Sequence, residues 1–183
     1  MDRVKIKDKY FVPYIKYEEL EKAFDRVADK ITEDFRGSRE VPILLCVLNG
    51  SVMFSSELMK RLDFPVEFSS VRLSSYEGTT STGVTRKVLG LTAAIKNRPV
   101  IVVEDIVDTG KTISDLCDLL KEAGASSVKI CTMLYKPDVY KRDIILDYVG
   151  MAIDNGFIVG FGLDYDQLGR NLKDIYILDE NQD

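Results

Sequence analysis

Pro42 to Leu48 (PILLCVL) is a continuous apolar run with no polar residue alternating into it. A strand of this kind is buried on both faces, so its sheet needs a layer of structure above and below. Val100 to Val103 is a second such run, Val128 to Leu134 reads as strand again, and Val66 to Leu73 alternates like a strand. Helical stretches lie around these runs. Leu20, Phe24, Val27, Ile31 and Phe35 recur at helical spacing across residues 17–36, and Gly37 ends that helix. Gly50-Ser51 opens a helix to about Leu62, and another runs from Thr112 to about Ala123, with Gly124 as its stop. Strand–helix–strand repetition with buried strands predicts an α/β fold, a central, mainly parallel twisted sheet flanked by helices. At 183 residues one domain is expected. Its core spans about 38–137. The flanking segments, about 1–16 and 138–183, read as short strands and turns that form a small hood.

Ligands of such sheets bind beyond the carboxyl ends of the strands. Asn49, the stretch from Glu104 to Thr112, and Lys136 all fall there. The middle stretch, VVEDIVDTGKT at 102–112, carries the most chemistry. An apolar strand runs into adjacent carboxylates Glu104 and Asp105, then Asp108, and Thr109-Gly110-Lys111-Thr112 opens a helix. A helix N-terminus presents backbone N–H groups and a positive dipole end to phosphate. Gly110 allows close backbone approach, and the threonines add hydroxyl donors. Three carboxylates beside a plain phosphate site make no sense; beside a phosphorylated sugar they can accept hydrogen bonds from its hydroxyls. Gly110-Lys111-Thr112 matches the end of a nucleotide-hydrolysing P-loop, but the first glycine of that motif falls on Asp105. Helix capping accounts for Asp108 and Thr109 and leaves Glu104 and Asp105 unexplained.

Composition removes several classes of function. A net charge of −5 argues against sequence-independent contacts to nucleic acid. No apolar run is long enough to span a bilayer, and Met1 to Lys5 does not read as a signal peptide. Cys46, Cys117 and Cys131 sit in apolar stretches without metal-ligand spacing, as in a reduced compartment, so a cytoplasmic location is expected. The chain has no histidine. Acid–base work therefore falls to carboxylates, lysine or tyrosine, and any metal should be a hard, oxygen-seeking ion such as Mg²⁺.

The 102–112 segment resembles the phosphoribosyl-diphosphate (PRPP) motif of type I phosphoribosyltransferases, specifically the hypoxanthine-guanine phosphoribosyltransferase family. The resemblance runs from about Tyr10 to about Leu178. LLCVLNGSVMF at 44–54, SSYEGTTSTG at 74–83 and FIVGFGLDYDQLGR at 157–170 also match, in the family's order. It implies a Mg²⁺-dependent transfer from PRPP to a 6-oxopurine, giving IMP or GMP and diphosphate, by a homodimer or homotetramer. By the same resemblance Glu104 and Asp105 lie under the ribose hydroxyls, and Asp108 to Thr112 hold the 5′-phosphate. Asp108 also sits near purine N7 for proton transfer. Lys136 reads the purine O6, which suits a group with donors only. Phe157 stacks on the base, the backbone of Ile158 faces its edge, and Asp164 engages base and Mg²⁺, to which Glu104 and Asp105 also contribute. Arg170 reaches the diphosphate, as do Asn49 and Gly50. Ser75 and Tyr76 belong to a lid loop over the reacting centre.

Read without the resemblance, Lys136 is a solvated surface lysine, Phe157 a core phenylalanine, Asp164–Arg170 a surface pair and Ser75-Tyr76 part of an ordinary loop. One departure stands out: the family usually has lysine or arginine where this chain has Asn49, at a strained peptide. A nucleotide-sensing regulator on the same fold is the alternative function. Such a protein needs a basic RNA-binding face, which the acidic balance opposes.

Overall fold

The structure, a computed structural model, describes residues 3–76, 85–89, 91 and 93–180, with the backbone alone at 74–76 and 85–89. Its centre is a six-stranded sheet. In chain order the strands are β3 (Ile43–Val47), β4 (Glu67–Tyr76), β5 (Thr85–Leu89), β6 (Pro99–Val107), β7 (Ser127–Tyr135) and β8 (Tyr148–Ala152). They lie in the order β5-β4-β3-β6-β7-β8. Five are parallel, and β5 pairs antiparallel with β4 at one edge. The predicted parallel sheet is therefore present.

The apolar runs are explained by burial on both faces. Leu44, Ile101 and Val103 point into one core, with α1 (Tyr17–Phe35) and α2 (Val52–Arg61) above them. Their neighbours Ile43, Leu45, Val100 and Val102 point into the other, under α3 (Lys111–Glu122). With a hydrophobic layer on each side, no position in the strand is left for a polar residue. In α1 the predicted stripe buries Leu20, Phe24, Val27 and Ile31.

Strand order decides where a ligand fits. From β3 the chain moves through α2 to β4 on one side, and β6 returns on the other side of β3. The crevice between β3 and β6 is the point at which the order reverses, the usual place for a ligand in such sheets. Residues after β3, starting at Leu48, and the end of β6 meet there.

A second sheet, antiparallel and ordered β1-β2-β10-β9, joins β1 (Val4–Ile6), β2 (Lys9–Ile15), β9 (Ile158–Val159) and β10 (Ile175–Leu178). It has a small core of Ile6, Phe11 and Val159. It is fixed to the main body through Phe161, whose ring stacks on Phe24 at 5.2 Å. This is the hood, built from both ends of the chain. Residues 148–152 lie inside the stretch expected for the hood, yet they form β8 and pair with β7. Tyr148 is buried against α1 and β7, and that burial carries the strand into the main sheet.

Candidate active site

β6 is longer than its apolar run. It continues to Val107, with Glu104 paired to Thr132 and Ile106 to Leu134. Both acids thus lie within the strand rather than just past its end, because the ladder with β7 persists through Val107–Tyr135. Glu104 is 7% exposed, and its Oε2 has no hydrogen-bond partner among the described residues. Burial, and then the charge of Asp105, hold its carboxyl well above the usual range. Asp105 is pushed up to about 6, again by burial, against the pull of the Ile106 N–H on Oδ1 at 2.8 Å and the charge of Arg170. Two adjacent carboxylates with little neutralisation are costly to bury. A ligand that donates hydrogen bonds or carries a cation would remove that cost.

Residues 108–110 form the turn into α3. Gly110 caps the helix with φ +77, and a Cβ there would lie 2.5 Å from the Tyr140 ring. Only glycine meets both demands. The first helical bond runs from Ser114 N–H to Gly110 O, so the N–H groups of Lys111, Thr112 and Ile113 have no intrahelical acceptor. A small pocket opens at this turn, lined by Glu104 and residues 106–113.

A second pocket, of about 290 Å³, adjoins the first and shares Ile106 and Asp108 with it. Its wall contains Asp105, Lys136, Gly156, Phe157, Ile158, Leu163 and Asp164. Lys136 is 7% exposed; its Nζ donates to Gly156 O at 2.9 Å and lies 3.8 Å from Asp108 Oδ2. The surface-lysine reading of Lys136 is thus wrong. Phe157 is 45% exposed in the pocket wall, so the core reading of that ring fails too. Asp164 binds Arg170 Nη2 at 2.6 Å and accepts the Gln167 N–H at 2.7 Å. Arg170 Nη1 donates to Gly162 O at 2.7 Å.

Asn49 is exposed and follows a cis Leu48–Asn49 peptide. A Cβ on Gly50 would lie 1.5 Å from Asp105 Oδ2, and one on Gly162 would lie 2.0 Å from Gly50 O. The turn after β3, the acid pair and the hood therefore meet with no room for side chains. Thr109 and Lys111 are exposed beside the first pocket. The backbone of Ser75 and Tyr76 is strand, paired with Arg86 and Thr85, rather than loop. Their side chains and residues 77–84 lie outside the described residues. Sequence reasoning missed Gly156, Gly162, Leu163 and Gln167. The glycines and the turn in FIVGFGLDYDQLGR carried the signal for two of them, Gly162 and Gln167.

The model of the phosphoribosyl transferase domain matches residues 16–166. The chain belongs to the phosphoribosyltransferase family. The hypoxanthine-guanine phosphoribosyltransferase of Streptococcus pneumoniae is 41% identical over 167 residues, covering 91% of this chain and 92% of the relative. That of Streptococcus mutans is 44% identical over 153 residues, covering 83% and 84%. Among solved structures, a hypoxanthine phosphoribosyltransferase from Staphylococcus aureus superposes with a TM-score of 0.83 at 34% identity, covering 91% of this chain and 90% of that one. A variant of the Trypanosoma cruzi enzyme, solved as a ternary complex with substrates, gives 0.83 at 33% identity, covering 92% and 95%. This phosphoribosyltransferase thus shares the fold of those solved enzymes.

Proposed function

We propose that this phosphoribosyltransferase moves the phosphoribosyl group of PRPP to N9 of hypoxanthine or guanine. The new C1′–N9 bond forms as the C1′–oxygen bond to diphosphate breaks, and the base loses a proton. IMP or GMP and diphosphate result. One observation carries the reading: two adjoining pockets share Asp108 and Ile106, one at a helix N-terminus and one walled by an aromatic ring and a buried lysine. That spacing suits a phosphate and a planar base on either side of a sugar.

The roles follow from the chemistry of each group. N–H groups at 111–113, with Thr109 and Thr112 hydroxyls, hold the 5′-phosphate. Glu104 and Asp105 accept the ribose hydroxyls, and their charge favours the cationic centre that develops as diphosphate departs. Asp108, at the junction of the pockets, takes or returns the purine proton. Lys136 donates to O6, which excludes the amino group of adenine. Phe157 covers one face of the ring, and the Ile158 backbone reads its edge. Arg170, with the Asn49-Gly50 turn, faces the diphosphate. Ser75 and Tyr76 keep their assignment to the cover of the site.

Mg²⁺ fits this donor set as a partner of the substrate. Among the described residues no three His, Cys, Asp or Glu converge into a metal cage. The orphan Oε2 of Glu104, the under-neutralised Asp105 and the Asp164 carboxylate are hard oxygen donors suited to an ion held mainly by PRPP oxygens. Bound there, it would neutralise diphosphate charge. Assembly into a homodimer or homotetramer belongs to the same reading. The alternative of a nucleotide-sensing regulator has no observation in its favour.

Incubating the protein with PRPP, Mg²⁺ and each free base separately, then identifying any nucleotide, tests the reading. IMP from hypoxanthine or GMP from guanine is the expected product. No nucleotide with any 6-oxopurine overturns it.

A further inference from the structure

The tip of the β1–β2 hairpin reaches across to the segment after Asp164. The Lys7 ammonium pairs with the Asp166 carboxylate, and the Tyr165 hydroxyl donates to Asp8 Oδ1 at 2.8 Å. The turn they meet is unusual. Asp166 and Gln167 have φ of +50 and +69, two successive left-handed residues with no glycine. Tyr165 and Leu168 exchange N–H···O bonds of 2.9 and 3.1 Å across them. This is the φ pattern of a two-residue hairpin turn that normally takes Asn-Gly or Asp-Gly, and glutamine lacks that ease. Such a turn persists where its surroundings hold it.

What the turn holds is the wall of the second pocket. Gln167 N–H is bonded to Asp164, and Gln167 Oε1 accepts from Arg170 at 3.4 Å, beside the Asp164–Arg170 pair. The Tyr165 ring meets Phe157 edge-on at 5.8 Å, the ring exposed in that wall. Lys7, Asp8 and Tyr165 line neither pocket.

We infer that Lys7, Asp8 and Tyr165 are positioning residues, the hairpin tip clamping the 165–168 turn so that Asp164, Arg170 and Phe157 face the substrates. The inference rests on the functional reading above. An exposed ion pair adds little to global stability, so the clamp should show in substrate binding and not in melting.

The test compares wild type with Lys7→Met, which keeps the stem, Tyr165→Phe, which keeps the ring, and Lys7→Arg, which keeps the charge. In IMP synthesis from PRPP and hypoxanthine, the first two should raise KM for both substrates about 3–10-fold, with kcat within about twofold. Lys7→Arg should match wild type, and melting temperatures should stay close together. Active wild type with unchanged Lys7→Met and Tyr165→Phe kinetics overturns the clamp alone. So does a parallel loss of every kinetic parameter together with a fall in melting temperature, which marks a merely structural contact. A wild type that forms no nucleotide removes the functional reading and this inference with it.

Discussion

Asp108 stands where the two pockets meet, half-exposed and 3.8 Å from the Lys136 ammonium. In a chain without histidine it is the carboxylate best placed to exchange a proton with a base in the second pocket. Asp108→Asn keeps the shape and removes the proton acceptor, so turnover should fall about 10²–10⁴-fold while PRPP binding changes little. Steady-state kinetics with PRPP varied check this; unchanged turnover removes Asp108 from proton transfer. Lys136 is buried, and its ammonium donates a hydrogen bond to Gly156 O. Lys136→Ala should weaken use of hypoxanthine and guanine far more than binding of PRPP, and untouched purine kinetics would show the O6 role to be wrong. Asn49 is exposed and uncharged beside the Gly50–Asp105 contact. Asn49→Lys should tighten diphosphate binding, measured by calorimetry. Equal affinities would mean that the backbone of the turn makes the contact.

At the scale of elements, β6 delivers two carboxylates into a buried edge of the sheet, and the free protein bears the cost. In the fold Asp105 keeps its proton up to about pH 6, whereas the unfolded chain releases it near 3.8. Between those values the folded state binds more protons, so this group lowers stability as pH rises through the window and by a constant amount above it. The penalty amounts to at most about 3 kcal/mol. Asp105→Asn should therefore stabilise the free protein increasingly from pH 4 to 6, then level off, and should weaken PRPP binding. Denaturant titrations of both proteins across that range measure it. A stability difference independent of pH would show that the carboxyl titrates normally.

Over the whole molecule, the main sheet supplies the turn at 108–110 and the acid pair, while the hood supplies Phe157, Ile158, Asp164 and Arg170. The two parts meet at Gly50 and Gly162, where backbone packs on backbone. The site carries many carboxylates and few cations, so a polyanionic substrate should need a divalent ion to enter it. Activity should collapse in EDTA and return with excess Mg²⁺. Full turnover in EDTA would contradict a metal-assisted reaction. No described helix is long and apolar enough to cross a membrane, and all three cysteines are buried and free.

Much of this was legible in the sequence, because it depends on local pattern. Continuous apolar runs demanded a sheet covered on both faces, and acids followed by Thr-Gly-Lys-Thr demanded a strand, a turn and a helix N-terminus. Those features need only neighbours in the chain to be understood. What the sequence left open depends on residues far apart. Without the family resemblance, Lys136 and Phe157 read as an ordinary surface lysine and core ring until the folded chain brings them to one pocket. The strand order that puts β6 beside β3 has no local code, since it depends on which faces remain to be buried once β4 has packed. β8 joins the main sheet because Tyr148 is buried between α1 and β7. The bonds from Lys7 and Asp8 to Asp166 and Tyr165, beside the Asp164–Arg170 pair, join opposite ends of the chain, and only the tertiary structure could bring those ends together.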